Sequence, residues 1–345
     1  CELMCGAQIR SVYAGIAGHH IRGQNSRGMV TVYHNRIVTE EDIRRVIDAA
    51  QVLIPNDREV LHILPQEFIV DDQDGVQNPL GMAAARLEVN VHIVTGSVTS
   101  AQNIIKCCNQ SGLDVEDIVL EPLSSSQAVL SPDEQEVGVV LVDIGGGTTD
   151  VTIYSEGSIV HTAVLALGGN HLTHDIAIGL GAPLREAEEI KHNFGVAMAS
   201  MVEEDEMIDV PSVGGRNNRT MQKRVLSSII EDRFREIFEL IAHEIEKTHF
   251  HTLMASGVVI TGGTCIMSGA DRLASKVLNL PVRVGYPENI SGLREMIYSP
   301  KYATSVGLVR YGITSNQGKL NFVGDDTNLF HKVSRRMKDW MQDFF

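Results

Sequence analysis

The sequence predicts an α/β protein of two or more domains, and three observations carry that prediction. The chain has 345 residues, against about 150 for a typical domain, and a chain of this size buries a sizeable core. An apolar run, Val140–Val142, ends at Asp143 and passes through Gly145-Gly146-Gly147-Thr148-Thr149-Asp150 into a second β-branched run, Val151–Ile153. A third run, Val258–Ile260, leads through Thr261-Gly262-Gly263-Thr264 into a helical pattern. Strands closed by glycine turns and interleaved with helices are how α/β layers are built.

Composition narrows the function. Lys and Arg total 29 against 44 Asp and Glu, a formal net charge of −15, so no nucleic-acid partner is expected. No run of 18 apolar residues predicts a spanning helix, and no signal-peptide pattern is present. The five cysteines (Cys1, Cys5, Cys107, Cys108 and Cys265) are odd in number and lack metal spacing, as expected for reduced thiols in a cytosolic protein.

Residues 1–10 read as the end of a helix already under way at Cys1-Glu2-Leu3-Met4, so further residues are expected upstream. Val12–Gly18 is a short buried strand closed by glycine. His19-His20 follows with no third ligand suitably spaced, which reads as surface rather than metal site. Gly28–Val32 and Asn35–Val38 predict a hairpin. Thr39 caps a helix whose first turn is acidic and whose apolar face is Ile43, Val46, Ile47 and Ala50. Val60–Leu64 and Glu67–Val70 read as two strands, and Leu87–Val94 as another with Leu87, Val89, Val91 and Ile93 on one face. Residues 20–92 thus form a small α+β unit.

A helix opens at Thr99, with Ile104, Ile105 and Cys108 inward, and ends at Gly112. Val115–Leu120 is a strand ending at Glu121-Pro122, followed by a short helix from Ser124 to Leu130. Beyond the glycine loop, Glu156-Gly157 turns a hairpin into Ser158–Leu165. Helices are expected over Asn170–Leu180, Pro183–Phe194 and Met221–Phe250, the last with Ile229, Ile230, Phe234, Ile237, Phe238, Ile241 and Ile245 on its inner face. Residues 202–209 are acidic and Gly214–Asn218 is a loop. Glu188 and Lys191 share a helical face and, on spacing alone, read as a surface ion pair. The small residues of Tyr302–Leu308 would permit close packing between two domains, and 313–328 reads as a flexible linker.

Two stretches point to chemistry. The Asp143–Asp150 turn has no side chains at Gly145–Gly147, so its amides can close on phosphate oxygens and its glycines can take positive φ. Thr148 and Thr149 add donors, and Asp143 can hold Mg²⁺ through water. Without a ligand the same stretch is a glycine-rich hairpin loop; the flanking aspartates and threonines favour the phosphate cradle. A strand follows it, unlike the Walker loop or the dinucleotide fingerprint, which open helices. The Gly262-Gly263-Thr264 turn, entering a helix, can meet a ribose or phosphate. At the other end, Leu329, Phe330, Val333, Met337, Trp340, Met341, Phe344 and Phe345 fall in one helical arc of roughly 160°. Lys332, Arg335, Arg336 and Lys338 lie outside it, the pattern of a helix lying in an anionic membrane surface.

The combination of Asp-Ile-Gly-Gly-Gly-Thr-Thr-Asp at 143–150, Thr-Gly-Gly-Thr at 261–264 and Tyr-Ala-Thr-Ser-Val-Gly at 302–307 resembles the actin-like ATPase superfamily. Within it the chain is similar to the FtsA family of bacterial cell-division proteins, supported by residues 11–18, 61–68, 78–82, 187–191 and the C-terminal segment. The resemblance implies an actin-like (ribonuclease H-like) two-lobed ATPase fold with an inserted small α+β domain and a C-terminal amphipathic helix. Domain IA would be 1–20 and 93–137, IC 21–92, IIA 138–180 and 251–312, and IIB 181–250, followed by the linker and a membrane-targeting helix at 329–345. It implies ATP and Mg as cofactors. Asp143, Gly145, Gly146, Gly147, Thr148 and Thr149 would form the second phosphate loop, Gly262, Gly263 and Thr264 the adenosine motif, and Glu188 and Lys191 the flank of adenine and ribose. Glu121 falls where relatives position the attacking water, and Arg219 and Arg233 where they receive the FtsZ C-terminal peptide. The first phosphate loop of this family, an Asp-x-Gly hairpin, would precede residue 1. The implied role is a filament-forming adaptor with at most weak ATPase activity, tethering FtsZ to the cytoplasmic face of the cell inner membrane at the septum and recruiting later division proteins through IC. A metabolic kinase of the same superfold would need a substrate pocket and no membrane tail; a chaperone-type ATPase would carry a peptide-binding domain after its lobes.

Overall fold

The computed structural model describes residues 6, 8–33, 36–51, 55, 57–212, 218–248, 255–290 and 294–317. The membrane segment 329–345, most of the N-terminal stretch 1–7 and the linker beyond Gln317 lie outside the described residues. The chain divides into two compact units. One comprises the residues up to Gln127, Ser158–Thr162 and those from Ser305 onward; the other comprises Ala128–Gly157 and Ala163–Thr304.

The first unit opens with β1 (Ser11–Ile16), preceded at 8–10 by non-helical backbone. Then come β2 (Arg22–Thr31), α1 (Glu40–Ala49), β3 (Arg58–Val70), β4 (Gln73–Val76) and β5 (Arg86–Ser97), followed by α2 (Val98–Gln110), β6 (Asp114–Leu120) and α3 (Glu121–Val129). β1 and β6 pair in parallel, and a four-stranded sheet runs in the order β2-β5-β3-β4. The predicted helix cap is present: Thr39 accepts from the Asp42 amide while Asp42 reaches back to the Thr39 amide. Ile43, Val46 and Ile47 of α1 pack with Leu87, Val89, Val91 and Ile93 of β5 in one apolar core, so the alternation read in β5 is the alternation that folds.

Three expectations in this unit change. Among the described residues no pairing joins the two arms expected over Gly28–Val38; β2 is one ten-residue strand paired along its length with β5, and Ile37 bridges Ala83. Gly28 serves close approach rather than a turn, since an added Cβ would lie 2.1 Å from the Val46 carbonyl oxygen of α1. The two strands read over 60–70 are the single strand β3, bulged between Val60 and His62 and between Pro65 and Glu67. Pro65, paired with Val91 of β5, sits at the second bulge and beyond the reach of β4, a strand position that tolerates proline. Ile104, Ile105 and Cys108 of α2 are half-buried, and only Ala101 on that face is fully enclosed.

The second unit contains α4 (Pro132–Val137), β7 (Val139–Ile144), β8 (Thr149–Ser155) and β9 (Ser158–Leu165), whose first five residues group with the other unit. Next are α5 (Gly169–Leu180), α6 (Leu184–Phe194), β10 (Met207–Val210), β11 (Arg219–Gln222) and α7 (Lys223–Lys247). β12 (Val258–Thr261), α8 (Ala270–Leu278), β13 (Val282–Val284) and α9 (Arg294–Ile297) follow, and α10 (Ala303–Gln317) starts here and continues in the first unit. The sheet order is β13-β12-β7-β8-β9, with β7 parallel to β12 and antiparallel to β8. Residues 139–144 are all buried, as a central strand requires. In α7 the buried stripe is Leu226, Ile230, Phe234, Ile237, Phe238, Ile241 and Ile245, while Ile229 is half-buried. Met221 belongs to β11, which pairs with β10 out of the acidic stretch. Residues 313–317 continue α10 instead of starting a linker; no glycine or proline falls between Ile313 and Gln317. Gly307 of α10 does permit a close approach, but to the backbone of Ser124 in the same unit. Among the described residues no helix is long and apolar enough to cross a membrane.

Candidate functional site

In the second unit, β7 delivers Asp143 to the end of the sheet and β8 starts back at Thr149, leaving Gly145–Thr148 as the connecting turn. The turn closes with the Gly145 amide donating to the Thr148 carbonyl at 2.9 Å. None of its glycines has positive φ, contrary to the expectation of strained glycine conformations. Their value is space: Gly146 and Gly147 are exposed, and a Cβ on Gly147 would meet nothing within 4 Å. The amides of Gly146, Gly147 and Thr148 donate to no acceptor among the described residues. Three consecutive N–H groups without a protein acceptor, beside open space at Gly147, are able to meet an anion.

Two further loops close on this turn through its carbonyls. The Gly169 amide, first in α5, donates to Gly145 O at 2.9 Å, and the Asn170 amide to Gly146 O at 2.8 Å. Thr264 Oγ1 also donates to Gly145 O, at 2.9 Å, across 119 residues of sequence. Gly262 has φ of +92°, and a Cβ there would lie 2.4 Å from Ile144 O and 2.5 Å from Asp143 Oδ1, so only glycine fits the crossing of the two loops. Asp143 is 7% exposed and accepts from Thr304 Oγ1 at 3.2 Å.

Glu188 and Lys191 of α6 form the next side. They are not the surface pair that spacing alone suggests: Lys191 is 9% exposed. Its Nζ donates to Glu188 Oε2 at 2.7 Å, Thr173 Oγ1 at 2.8 Å and Gly169 O at 3.1 Å. Burial works to raise the Glu188 carboxyl, but hydrogen bonds from Lys191 and Thr173 and the nearby positive charge outweigh it and leave it below its ordinary value. Thr149 is fully buried with its hydroxyl given to Leu167 O at 2.8 Å, so that hydroxyl serves the fold rather than the cradle. Cys265 lies behind the Thr261–Thr264 turn, its thiol donating to Thr261 O at 2.8 Å. Burial, and secondarily the Asp143 charge, pushes that thiol well above its usual value, which makes it unreactive.

The remaining predicted residues are on other elements. Glu121 starts α3 in the first unit and is half-buried, its Cγ 3.0 Å from where a Gly15 Cβ would stand. Arg219 is exposed on β11 and donates to Leu180 O. Arg233 on α7 holds Asp175 through Nε at 2.5 Å and Nη2 at 3.1 Å, and also pairs with Glu236. Sequence reading missed Gly168, Gly169, Asn170, Thr173 and Thr304 as parts of the site. The adjacent glycines at the start of a helix were the available signal, since helix starts present free amides.

A central parallel pair of strands, a Gly-rich hairpin at its end and a second glycine turn crossing it define a class. The solved PilM–PilN type IV pilus biogenesis complex matches with a TM-score of 0.62 at 15% identity, over 90% of this chain and 82% of that one. MreB5 of Spiroplasma citri bound to AMPPNP matches at 0.51 and 20% identity, over 64% of this chain and 65% of that one. The fold is that of the actin-like ATPases.

The family profile described as cell division protein FtsA matches residues 140–307, and the SHS2 domain inserted in FtsA matches residues 18–95. Cell division protein FtsA of Pseudomonas aeruginosa is 44% identical over the whole chain, covering 84% of that protein. Its counterpart in Escherichia coli K12 is 39% identical with the same coverage, and that in Bacillus subtilis 38% identical over 90% of this chain and 70% of that protein. The chain belongs to the FtsA family: it is an actin-like cell-division protein carrying an inserted SHS2 domain.

Proposed function

We propose that this chain binds ATP in the cradle of Asp143–Thr149 and Gly262–Thr264, flanked by Glu188 and Lys191, and uses the bound nucleotide to favour assembly with further copies of itself. The observation that carries the reading is the row of amides at Gly146, Gly147 and Thr148 that meet no protein acceptor, with open space at Gly147. Mg²⁺ fits the donor set, since this ion takes one or two carboxylates and completes its shell with water and phosphate. Asp143 supplies a carboxylate at the strand end, steadied by Thr304. When bound, the ion would neutralise phosphate charge. We assign Glu121 to orienting water for at most weak hydrolysis.

The polymer so formed ties FtsZ filaments to the cytoplasmic face of the inner membrane at the septum. Domain IIB (181–250) receives the acidic FtsZ tail at Arg219 and Arg233, the latter exchanging Asp175 for a peptide carboxylate. Domain IC (21–92) meets later division proteins. Domain IA (1–20 and 93–137) and IIA (138–180 and 251–312) make up the two lobes, and the 329–345 segment binds anionic lipid.

Gly147→Ala tests the nucleotide site. Its φ suits alanine and its Cβ meets no protein atom, so thermal stability should hold or rise slightly. Affinity for ATP, measured by calorimetry, should fall at least about tenfold, because a methyl group would occupy the anion's place. A variant that binds ATP as the wild type does would remove the cradle from the nucleotide reading.

A further inference from the structure

The strand end that leads into Glu121 is held by a side chain of the inserted domain. Among the described residues β6 pairs with β1 alone, so amides along its other edge need acceptors from elsewhere. Leu120, its last residue, is fully enclosed, and its N–H donates to Nε2 of His62 on β3 at 2.9 Å. His62 is itself 5% exposed and lies within the SHS2 match, 58 residues earlier in the chain. A ring nitrogen that accepts carries no proton, so this imidazole is neutral with its proton on Nδ1.

The carbonyl of the same residue is held too, since Ser124 Oγ donates to Leu120 O at 3.4 Å. Both backbone polar groups of Leu120 thus end on buried side chains, one residue before Glu121 opens α3. Room for the Glu121 side chain is left by Gly15 of β1: a Cβ there would stand 3.0 Å from Glu121 Cγ and 3.2 Å from its Oε1. Imidazole, hydroxyl and missing methyl group together fix where the carboxylate stands. We infer, resting on the assignment of Glu121 to orienting water, that His62 is a positioning residue for Glu121: by accepting the Leu120 N–H it ties the inserted domain to the strand-to-helix junction that aims the carboxylate.

The test measures single-turnover ATP hydrolysis, and ATP affinity by calorimetry, on the full chain as wild type, His62→Phe, His62→Gln, Glu121→Gln and the His62→Phe, Glu121→Gln pair. Phenylalanine fills the space of the ring but accepts nothing. Hydrolysis should fall about tenfold with ATP affinity unchanged, and glutamine, whose amide oxygen can take the Leu120 N–H, should restore it. In the Glu121→Gln background His62→Phe should lower the rate no further, whereas a loss of folded protein lowers both backgrounds alike. If His62→Phe does not fold, His62→Asn, whose shorter amide falls short of the Leu120 N–H, takes its place with the same expectation. A rate unmoved by the substitution, or an equal fall in both backgrounds, overturns the inference. A wild type that binds ATP without hydrolysing it, or a Glu121→Gln protein as fast as the wild type, overturns the role of Glu121 and the inference with it, and leaves the nucleotide site standing. A wild type that binds no ATP overturns all three.

Discussion

Acidification from pH 7 to pH 5 should weaken the first unit through one histidine. His92 on β5 is 1% exposed, with Nδ1 at 2.6 Å from Asn25 Oδ1 and Nε2 at 2.9 Å from Thr162 Oγ1. Asn25 Nδ2 donates to Val160 O at 3.1 Å, so the Asn25 oxygen faces the ring, the neutral ring donates from Nδ1, and Nε2 accepts from the Thr162 hydroxyl. Burial, and secondarily the charge of His161, lowers the pKa from 6.5 to about 4. Below pH 6.5 the unfolded chain takes up a proton that the folded chain refuses until about pH 4. Stability from this group is therefore complete above pH 6.5 and is lost as pH falls toward 4. The difference of 6.5 − 4, about 2.5 units at 1.36 kcal/mol each, amounts to about 3 kcal/mol in all, of which about 2 kcal/mol is gone by pH 5. Urea unfolding followed by circular dichroism, on wild type and His92→Gln at both pH values, measures it. The amide keeps a donor and an acceptor but cannot take up the proton. The wild type should lose about 2 kcal/mol more than the variant between pH 7 and pH 5. Equal losses, or an NMR titration of the His92 ring with a midpoint above 6, would refute the argument.

Two other perturbations probe packing and the tail. Gly307→Ala places a Cβ 1.8 Å from the Ser124 carbonyl oxygen, a backbone clash that neither helix can relieve by a rotamer change. A loss of about 3 kcal/mol is expected in urea unfolding, and an unchanged midpoint would show that α3 and α10 separate freely. Paired Trp340→Glu and Phe344→Glu changes put two charges on the apolar arc of the C-terminal segment. Sedimentation with anionic liposomes should be lost, and sedimentation equal to the wild type would end the membrane-anchor proposal.

What was legible in the sequence was whatever depends on neighbours a few residues apart. The Thr39 cap, the alternation of β5, the apolar stripe of α7 and the strand–turn–strand around Gly145–Gly147 are set by local periodicity and by glycine and threonine placement. They appear where the pattern put them because backbone geometry fixes which residues share a face. The two strand-like runs over 60–70 are one strand for a reason local pattern does not carry: β5 pairs with both sides of the bulge between Pro65 and Glu67.

Tertiary structure decided which partners those local pieces find. Glu188 and Lys191 have the spacing of a surface pair, yet α6 packs against α5, and the ammonium ends buried between Thr173 and the Gly169 carbonyl. The glycine loop announced a phosphate cradle, but that its amides point outward is settled by bonds from α5 and from Thr264, 119 residues away. Such contacts leave no periodic trace, because they join loops whose separation in the chain is unrelated to their separation in space. The sequence by itself determined a glycine-rich turn between two strands with the composition of a phosphate cradle; the fold determined which residues hold that turn in shape.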